Sequence, residues 1–398
     1  MSENLETPVT EPGPVPSIDG FWLYLLFALL ATAGFFYINI MAAIVDGLIT
    51  GLGFSNAQAG MVGSANIYGA SVGALCAVFV VRRIEWRPAL VVLFSILIGI
   101  DLISTVIVDP NVLIPVRAVH GFIGGMTVGI VYSVMARLNS PDRAFGVLLV
   151  LQFGLGGLGV MFLPQLVPLY GAQILFFVLA TLTVIAMVSM LAIPKRLGKN
   201  RSNAELAAMP ANYRKLTVVL ALLALFLFQG GNMALAAFII PLGENADLAR
   251  DFIGQALGWA TWIGAAGAGM VIFMGTRFGR LRPLIVAFLL TFAGTAGFFW
   301  SKSEPIFMIA NVGTAITWSF VVPYLFGMIS RLDPTGRLAA LGGFVSKCGL
   351  ASGPLVAGLL LRTDNFDLLI WAALIALALS SMAAFAAARQ VDQLEPAT

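Results

Sequence analysis

The sequence is dominated by apolar stretches of about 20 residues, each long enough to cross a lipid bilayer as a single helix. Apolar residues make up 60% of the 398 residues and charged residues only 10%, whereas a soluble domain carries about a quarter charged residues. Inside hydrocarbon the backbone must satisfy its own hydrogen bonds, so such stretches fold as α-helices. The sequence therefore predicts an all-α, polytopic membrane protein.

The polar breaks between these stretches predict about twelve transmembrane helices. They are expected at residues 21–49, 57–80, 89–108, 112–136, 145–168, 172–193, 216–241, 253–275, 284–301, 306–329, 340–361 and 368–388. Residues 1–20 contain acidic residues and prolines instead of the basic start of a signal peptide, and they predict a disordered cytoplasmic tail.

The longest internal polar stretch, residues 194–215, predicts a cytoplasmic linker between two bundles. The N-terminal six-helix bundle is expected at residues 21–193 and the C-terminal one at residues 216–388, followed by a cytoplasmic tail at residues 389–398.

The basic residues are distributed unevenly between the two sides of the membrane. Most of the 22 Lys and Arg lie in every second loop or in the C-terminal tail. Arg250, Lys302 and Arg362 lie in the other loops, and Arg117 and Lys347 lie within helices. Because basic loops are retained in the cytoplasm, we expect an inner-membrane protein with both termini cytoplasmic. These charges set topology, and they do not predict a nucleic-acid surface.

Short motifs recur between the two halves at a nearly constant spacing. The pattern Arg-Leu-x4-Arg at residues 137–143 recurs at residues 331–337, 194 positions later. The Arg-Pro pair at residues 87–88 recurs at residues 282–283, 195 positions later. Duplicated halves of this kind are how many transporters build a binding site near the bilayer midplane.

Three motifs resemble those of the major facilitator superfamily, and the resemblance extends over about residues 20–390. The loop signature after that family's second helix is matched in part by residues 73–77 with Arg82 and Arg83, and again by residues 277–280. Ala77 and Thr276 stand where the family has an acid. The fourth-helix signature is matched by Arg117 and Gly121, with His120 where some members carry Gln.

The resemblance implies two pseudo-symmetric six-helix bundles that alternate access to a central site. It also implies that residues of the two signature loops take part in gating, namely Arg82, Arg83, Arg277, Gly279 and Arg280. A Gly-Pro signature on helix five, by which antiporters of the family resemble one another, is missing here, since Gly353-Pro354 lies on helix eleven.

Ionisable residues inside membrane helices are costly and therefore point to function. Counted at about 1.5 Å per residue, Asp46 and Arg117 lie at similar depth, and the resemblance places both of their helices beside the cavity. We therefore expect an Asp46–Arg117 ion pair whose protonation couples proton movement to transport, with a fixed structural pair as the alternative. His120 shares a helix face with Arg117 and is either a proton relay or a packing residue. Asp101, on a more peripheral helix, is a further candidate for proton coupling.

Lys347 lies near mid-depth in helix eleven with no acid in the same segment. This favours an anionic, carboxylate-bearing solute, bound by Lys347 and Arg117. The alternative is that Lys347 pairs with another helix or reaches the cytoplasmic surface.

Other polar or aromatic residues on the expected cavity helices are Tyr37, Asn39, Asn66, Tyr68, Gln152, Gln229, Asn232, Trp259, Trp262, Asn311, Trp318 and Tyr324. We select Gln229, Asn232, Asn66, Tyr37, Gln152, Asn311 and Trp262 as substrate-binding candidates. Gln229 and Asn232 are preferred, since they share a helix face beside two glycines.

Several other function classes have no residues to support them. One histidine and two cysteines predict neither a metal site nor a disulfide framework, and no cofactor is expected. The hydrolase-like pattern at residues 69–73 and the dinucleotide-like pattern at residues 154–159 lie within apolar helices, so they predict close helix packing instead.

We therefore expect a monomeric, proton-coupled symporter of a small anionic organic solute, embedded in the lipid bilayer, and not an enzyme. The alternatives are drug efflux by proton antiport and, in a different class, a membrane sensor or enzyme descended from a transporter.

Overall fold

The computed structural model describes residues 20–81, 83–136, 138, 141–193, 215–274, 277–332 and 337–394. These residues form α-helices and short 3-10 turns but no β-strand, and twelve of their helices are long and apolar enough to cross a membrane. The α-helices are α1 (Phe21–Asn39), α2 (Met41–Leu52), α3 (Asn56–Val80), α4 (Trp86–Ser104), α5 (Pro110–Met135), α6 (Pro141–Tyr170), α7 (Gln173–Ser189), α8 (Lys215–Ala237), α9 (Ile239–Asn245), α10 (Arg250–Met274), α11 (Leu281–Gly297), α12 (Glu304–Leu332), α13 (Arg337–Leu360) and α14 (Phe366–Leu394).

The twelve expected spans and the all-α fold are thus confirmed. Most of the predicted N-terminal tail and linker lies outside the described residues, and residues 389–394 of the predicted C-terminal tail continue α14 instead.

The first helix of each half is broken at a corresponding point. Ile40 separates α1 from α2 with φ −111° and ψ 24°, and Phe238 separates α8 from α9 with φ −113° and ψ 19°. In the second half Pro241 has no N–H to donate to the carbonyl of Ala237, which explains the break there. No proline follows Ile40, so the first break has a different origin. The internal repeat therefore extends to the backbone conformation.

The two halves share a core at one end of the molecule only. Because the number of spans is even, α1 begins and α14 ends at the same end, which we call the terminal end; the opposite end is the distal end. The core toward the distal end contains residues of both halves, among them Ile44, Leu48 and Ile240. Toward the terminal end each half has its own core, around Phe94 in the first half and Phe288 in the second. The halves are therefore joined distally and separate toward the terminal end.

Glycines allow the closest helix contacts, both within and between the halves. Within the first half, a Cβ added to Gly121 of α5 would lie 1.8 Å from the carbonyl oxygen of Asn66 on α3. Between the halves, a Cβ added to Gly60 of α3 would lie 2.2 Å from the carbonyl oxygen of Pro354 on α13. Gly69 and Gly73, part of the hydrolase-like pattern, pack against the α5 backbone. The packing interpretation of that pattern is confirmed.

Candidate functional site

A cavity of about 440 Å³ lies between the two halves. Helices α1, α2 and α6 line it from the first half, and α8, α9, α10, α12 and α13 line it from the second. Both broken helices contribute residues next to their breaks, including Asn39 and Ile239. The lining is mostly apolar and includes no charged side chain among the described residues. Its polar or aromatic residues include Asn39, Gln152, Gln229, Asn311 and Trp318.

Gln229 organises the polar edge of the cavity on the second half. Its amide nitrogen donates to the hydroxyl oxygen of Ser346 at 2.8 Å, and its amide oxygen accepts from the indole N–H of Trp318 at 2.6 Å. These bonds connect α8, α12 and α13. Asn232, the predicted partner of Gln229, does not line the cavity. Its amide nitrogen donates to the carbonyl oxygen of Phe228 in its own helix at 2.8 Å.

On the first half, Gln152 and Asn39 contribute the amide groups. The Asn39 amide nitrogen lies 3.4 Å from the carbonyl oxygen of Gln152, which connects α1 to α6. Asn311, opposite them on α12, donates to the carbonyl oxygen of Phe307 at 2.8 Å. Of the substrate-binding candidates from the sequence, Gln152, Gln229 and Asn311 are brought together in this cavity.

Lys347 lies beside the cavity, on the side of the terminal end. Its ammonium nitrogen is 4.6 Å from the centre of the Phe35 ring, so α13 of the second half contacts α1 of the first. Leu350, about one turn away on α13, lines the cavity. Lys347 forms no ion pair with any acidic residue that the structure describes. Its positive charge is therefore available next to the space between the halves.

Arg117 belongs to a buried polar cluster inside the first half, away from the cavity. One guanidinium nitrogen lies 2.7 Å from a carboxylate oxygen of Asp101, and the His120 Nε2 lies 3.2 Å from the same oxygen. The Asn66 amide nitrogen lies 2.8 Å from His120 Nδ1, and the Tyr37 ring centre lies 6.0 Å from that of His120. Tyr37, Asn66 and Arg117 are thus not among the cavity-lining residues.

The predicted Asp46–Arg117 ion pair is wrong. Similar depth does not place two side chains side by side, because the rotation of each helix about its axis decides which neighbour a side chain faces. Arg117 faces Asp101 on α4 and lies over the ring of Phe176, with its guanidinium carbon 4.4 Å from the ring centre. Asp101, expected to be more peripheral, is fully buried.

Asp46 instead binds Arg250, the first residue of α10 in the other half. The two guanidinium nitrogens of Arg250 donate to the two carboxylate oxygens of Asp46 at 2.7 and 3.0 Å. Arg250 also pairs with Glu244 at 2.6 Å and donates to the carbonyl oxygen of Pro164 at 2.8 Å. Asp46 is fully buried, and the Arg250 side chain is 22% exposed. We call Asp46, Glu244 and Arg250 the distal clamp, since they join α2 to α9 and α10 near the distal end.

The two acids of the distal clamp are related by the internal repeat. Asp46 is the sixth residue after the break at Ile40, and Glu244 is the sixth after the break at Phe238. One arginine therefore binds the same position of both halves. In the sequence, Arg250 is one of only three basic residues in the loops expected outside the cytoplasm. That rarity was the signal that could have indicated a specific role for it.

The comparison with known families agrees with this architecture. Residues 34–388 match the family model described as "Uncharacterised MFS-type transporter YbfB". The chain belongs to this family of the major facilitator superfamily. The family consists of transporters and not of enzymes. No curated protein matches the sequence.

Solved structures of other major facilitator transporters share the fold at low sequence identity. The nucleoside transporter NupG is 16% identical with a TM-score of 0.70, over 94% of this chain and 100% of that chain. A peptide transporter POT is 13% identical with a TM-score of 0.71, over 96% and 97%. A bacterial homologue of the human lysosomal transporter Spinster, in an inward-facing and unoccupied conformation, is 13% identical with a TM-score of 0.69, over 94% and 97%.

In each half, a residue at or just after the family signature loop binds the C-terminal part of the same half. In the first half, Arg87 donates to the carbonyl oxygen of Ile193, just after α7. In the second half, the backbone N–H groups of Arg280 and Leu281 donate to the Asp392 carboxylate at 2.9 and 3.0 Å. Asp392 of α14 thus supplies an acid that is missing from the loop's own sequence. Gly279 has φ of 68°, which glycine adopts most easily.

The remaining loop candidates have less defined positions. Arg83 and Arg277 lie in the described loops, whereas Arg82 lies outside the described residues.

Trp262, another substrate-binding candidate, does not line the central cavity. It lies at the contact between α6 and α10, where its indole N–H donates to the carbonyl oxygen of Gly154 at 3.2 Å.

Proposed function

We propose that this protein is a secondary transporter which moves a small organic anion across the cell inner membrane by alternating access, with both termini cytoplasmic. The uneven distribution of basic loops supports this orientation, and it makes the terminal end the cytoplasmic end. The core that both halves share at the distal end, with separate cores at the terminal end, supports an inward-facing state. The observation that carries the proposal is the cavity built by residues of both halves, which is where transporters with duplicated halves bind their substrates.

The substrate in this proposal has an apolar body and a carboxylate. The largely apolar cavity suits the body, and the amides of Gln152, Gln229 and Asn311 can orient its polar groups. Lys347 supplies a cation beside the cavity with no acidic partner among the described residues. Arg117, also expected to bind the anion, has no part in this proposal because Asp101 already neutralises its charge.

Proton coupling in this proposal occurs at Asp46. A coupling site must bind the proton differently in the two conformations, since a ligand shifts an equilibrium only by its differential affinity. The Asp46–Arg250 pair joins the two halves and must separate when the distal end opens. Separation leaves a buried carboxylate without its partner, which is costly, and a proton removes that charge. We propose that the solute binds together with this proton, so that both move in the same direction.

Asp101, Arg117 and His120 have a weaker claim to coupling. All three lie within the first half, and a half that moves as a rigid body does not change their contacts. We propose that this cluster has a structural role, in which it holds α3, α4 and α5 together.

Reconstitution into proteoliposomes tests the proposal. Radiolabelled monocarboxylates, glucose and tetraphenylphosphonium serve as anionic, neutral and cationic probes, and protein-free liposomes measure passive permeation. We expect protein-dependent carboxylate uptake that an acidic exterior accelerates. Uptake of glucose alone, or of none of the probes under any gradient, would contradict the proposal, and the second result favours a transporter-derived sensor.

A second candidate function is drug efflux by proton antiport. The observation that favours it is the apolar cavity without a charged side chain among the described residues. An antiporter would expel tetraphenylphosphonium against its gradient when protons flow inward. Carboxylates would then not compete for the same site.

A further inference from the structure

A second recess lies beside α6, and none of the residues that line it lines the central cavity. This recess of about 820 Å³ runs between α1, α6 and the side chain of Trp262 on α10. Apolar side chains form most of its surface, among them the exposed residues Phe21, Val150 and Leu158. We call it the lateral groove. An exposed apolar recess in a membrane span is filled by hydrocarbon.

The floor of the lateral groove follows one face of α6. Residues 146, 150, 154 and 158 all line it, and two of them are glycines. A Cβ added to Gly146 or Gly154 would meet no atom within 4 Å, so open space lies above both positions. From Arg143 to Leu158 the groove extends about 22 Å at 1.5 Å per residue. That length exceeds one leaflet of a hydrocarbon core about 30 Å thick.

Arg143 gives the lateral groove one charged end. It lines the groove, its side chain is exposed, and it is the first residue of a membrane span at the terminal end. The end of a span is expected at the level of the lipid headgroups. It forms no ion pair with an acidic residue in the part of the chain that the structure describes. The groove therefore combines a cation at the membrane surface with an apolar channel along the acyl chains.

Trp262 separates the lateral groove from the central cavity. Its indole N–H donates to the Gly154 carbonyl oxygen, and a Cβ added to Gly157 would lie 2.2 Å from the indole nitrogen. The residues next to this contact, Gly156 on α6 and Thr261 on α10, line the central cavity. The side chain of Trp262 therefore lines the groove and adjoins residues of the central cavity.

We propose that the lateral groove is the entrance by which the transported solute reaches the cavity from the bilayer, and that this solute is an anionic amphiphile with one hydrocarbon chain and a carboxylate. Arg143 binds the carboxylate at the membrane surface, the chain lies along α6, and Trp262 is the gate to the cavity. The carboxylate then passes to Lys347. This inference rests on the proposed function and narrows its substrate class.

Photo-crosslinking in nanodiscs tests the entrance. The probe is a long-chain fatty acid that carries a diazirine near its methyl end, and adducts are located by peptide mass spectrometry. We expect adducts concentrated on residues 146–158 and at Trp262, reduced by unlabelled decanoate but not by decyltrimethylammonium. Arg143→Gln should lower these adducts at least fivefold. Arg389→Gln, a matched exposed arginine on α14 outside the groove, should leave them unchanged.

Substitutions of Trp262 test its role as the gate between the groove and the cavity. Trp262→Ala and the milder Trp262→Phe, which also lacks the indole N–H, should each raise adducts on the cavity-lining residues at least twofold. Adducts spread evenly over the surfaces of all the membrane-spanning helices, or equal losses in Arg143→Gln and Arg389→Gln, would overturn the inference. If carboxylate uptake persists in proteoliposomes while the groove stays unlabelled, the entrance is refuted and the proposed function stands.

Discussion

Arg250 holds the carboxylate of Asp46 with two hydrogen bonds of 2.7 and 3.0 Å across the boundary between the two halves. The same arginine binds Glu244 at the position that corresponds to Asp46 in the internal repeat. The clamp lies near the distal end, where the halves share one core. Its geometry therefore connects a titratable group directly to the closure of that end.

Removing Arg250 should favour opening of the distal end. Arg250→Gln leaves the buried Asp46 carboxylate unpaired, and breaking a buried pair in this way costs about 3–5 kcal/mol. Even a shift of roughly 1.4 kcal/mol raises the open population about tenfold. Pulsed electron paramagnetic resonance with spin labels at positions 50 and 251 should show a longer distance between the labels than in the unsubstituted protein. Arg250→Lys, which keeps the charge, should give a smaller change, and an unaltered distance in both variants would contradict the clamp.

Neutralising Asp46 should uncouple transport from the proton gradient. Asp46→Asn removes the charge that Arg250 binds, so we expect loss of gradient-driven accumulation while exchange of solute across the membrane continues. Glu244→Gln is the matched control, because its side chain is 35% exposed and can be solvated without Arg250. It should keep at least half of the accumulation. Full pH-gradient-driven uptake by Asp46→Asn in proteoliposomes would refute coupling at this residue.

Lys347 should determine the preference for anions. Lys347→Gln removes a positive charge beside the cavity, and we expect at least tenfold weaker carboxylate binding in a thermal-shift titration. Lys347→Arg should retain most of the binding, since the charge remains. Gln229→Leu, which removes the bonds to Trp318 and Ser346, should weaken anionic and neutral ligands alike. If Lys347→Gln still preferred anionic to neutral ligands as strongly as the unsubstituted protein, Lys347 would not be the source of that preference.

Alanine substitutions at two glycines should distinguish an effect on closure of the distal end from an effect on folding stability. Gly60→Ala places a methyl group against Pro354 of the other half, so it should hinder distal closure while each half remains stable. Gly121→Ala places one against Asn66 within the first half and should lower the melting temperature by several degrees, as overpacking costs about 1–3 kcal/mol. Differential scanning fluorimetry measures stability, and the spin-label distance measures closure. Equal effects of both substitutions on both readouts would contradict this division.

Part of the site could be predicted from residue type and depth alone. Gln152, Gln229 and Asn311 were selected as polar groups on expected cavity helices, and all three line the cavity. Asn232 has the same chemistry and a favourable spacing, yet it does not line the cavity and donates to a carbonyl of its own helix. Asn311 makes the same bond within its own helix and still lines the cavity, so the rotation of each helix decides which asparagine faces the cavity.

The sequence by itself determined the number of spans, the duplication of the six-helix unit and the family, because hydropathy, charge distribution and motif spacing are properties of the chain read along its length. Only the tertiary structure decided that Asp46 meets Arg250, that Arg117 meets Asp101 and that the halves join at the distal end. These contacts depend on how each helix is rotated and which helices are neighbours. Both follow from the packing of all the helices together, which no single segment encodes.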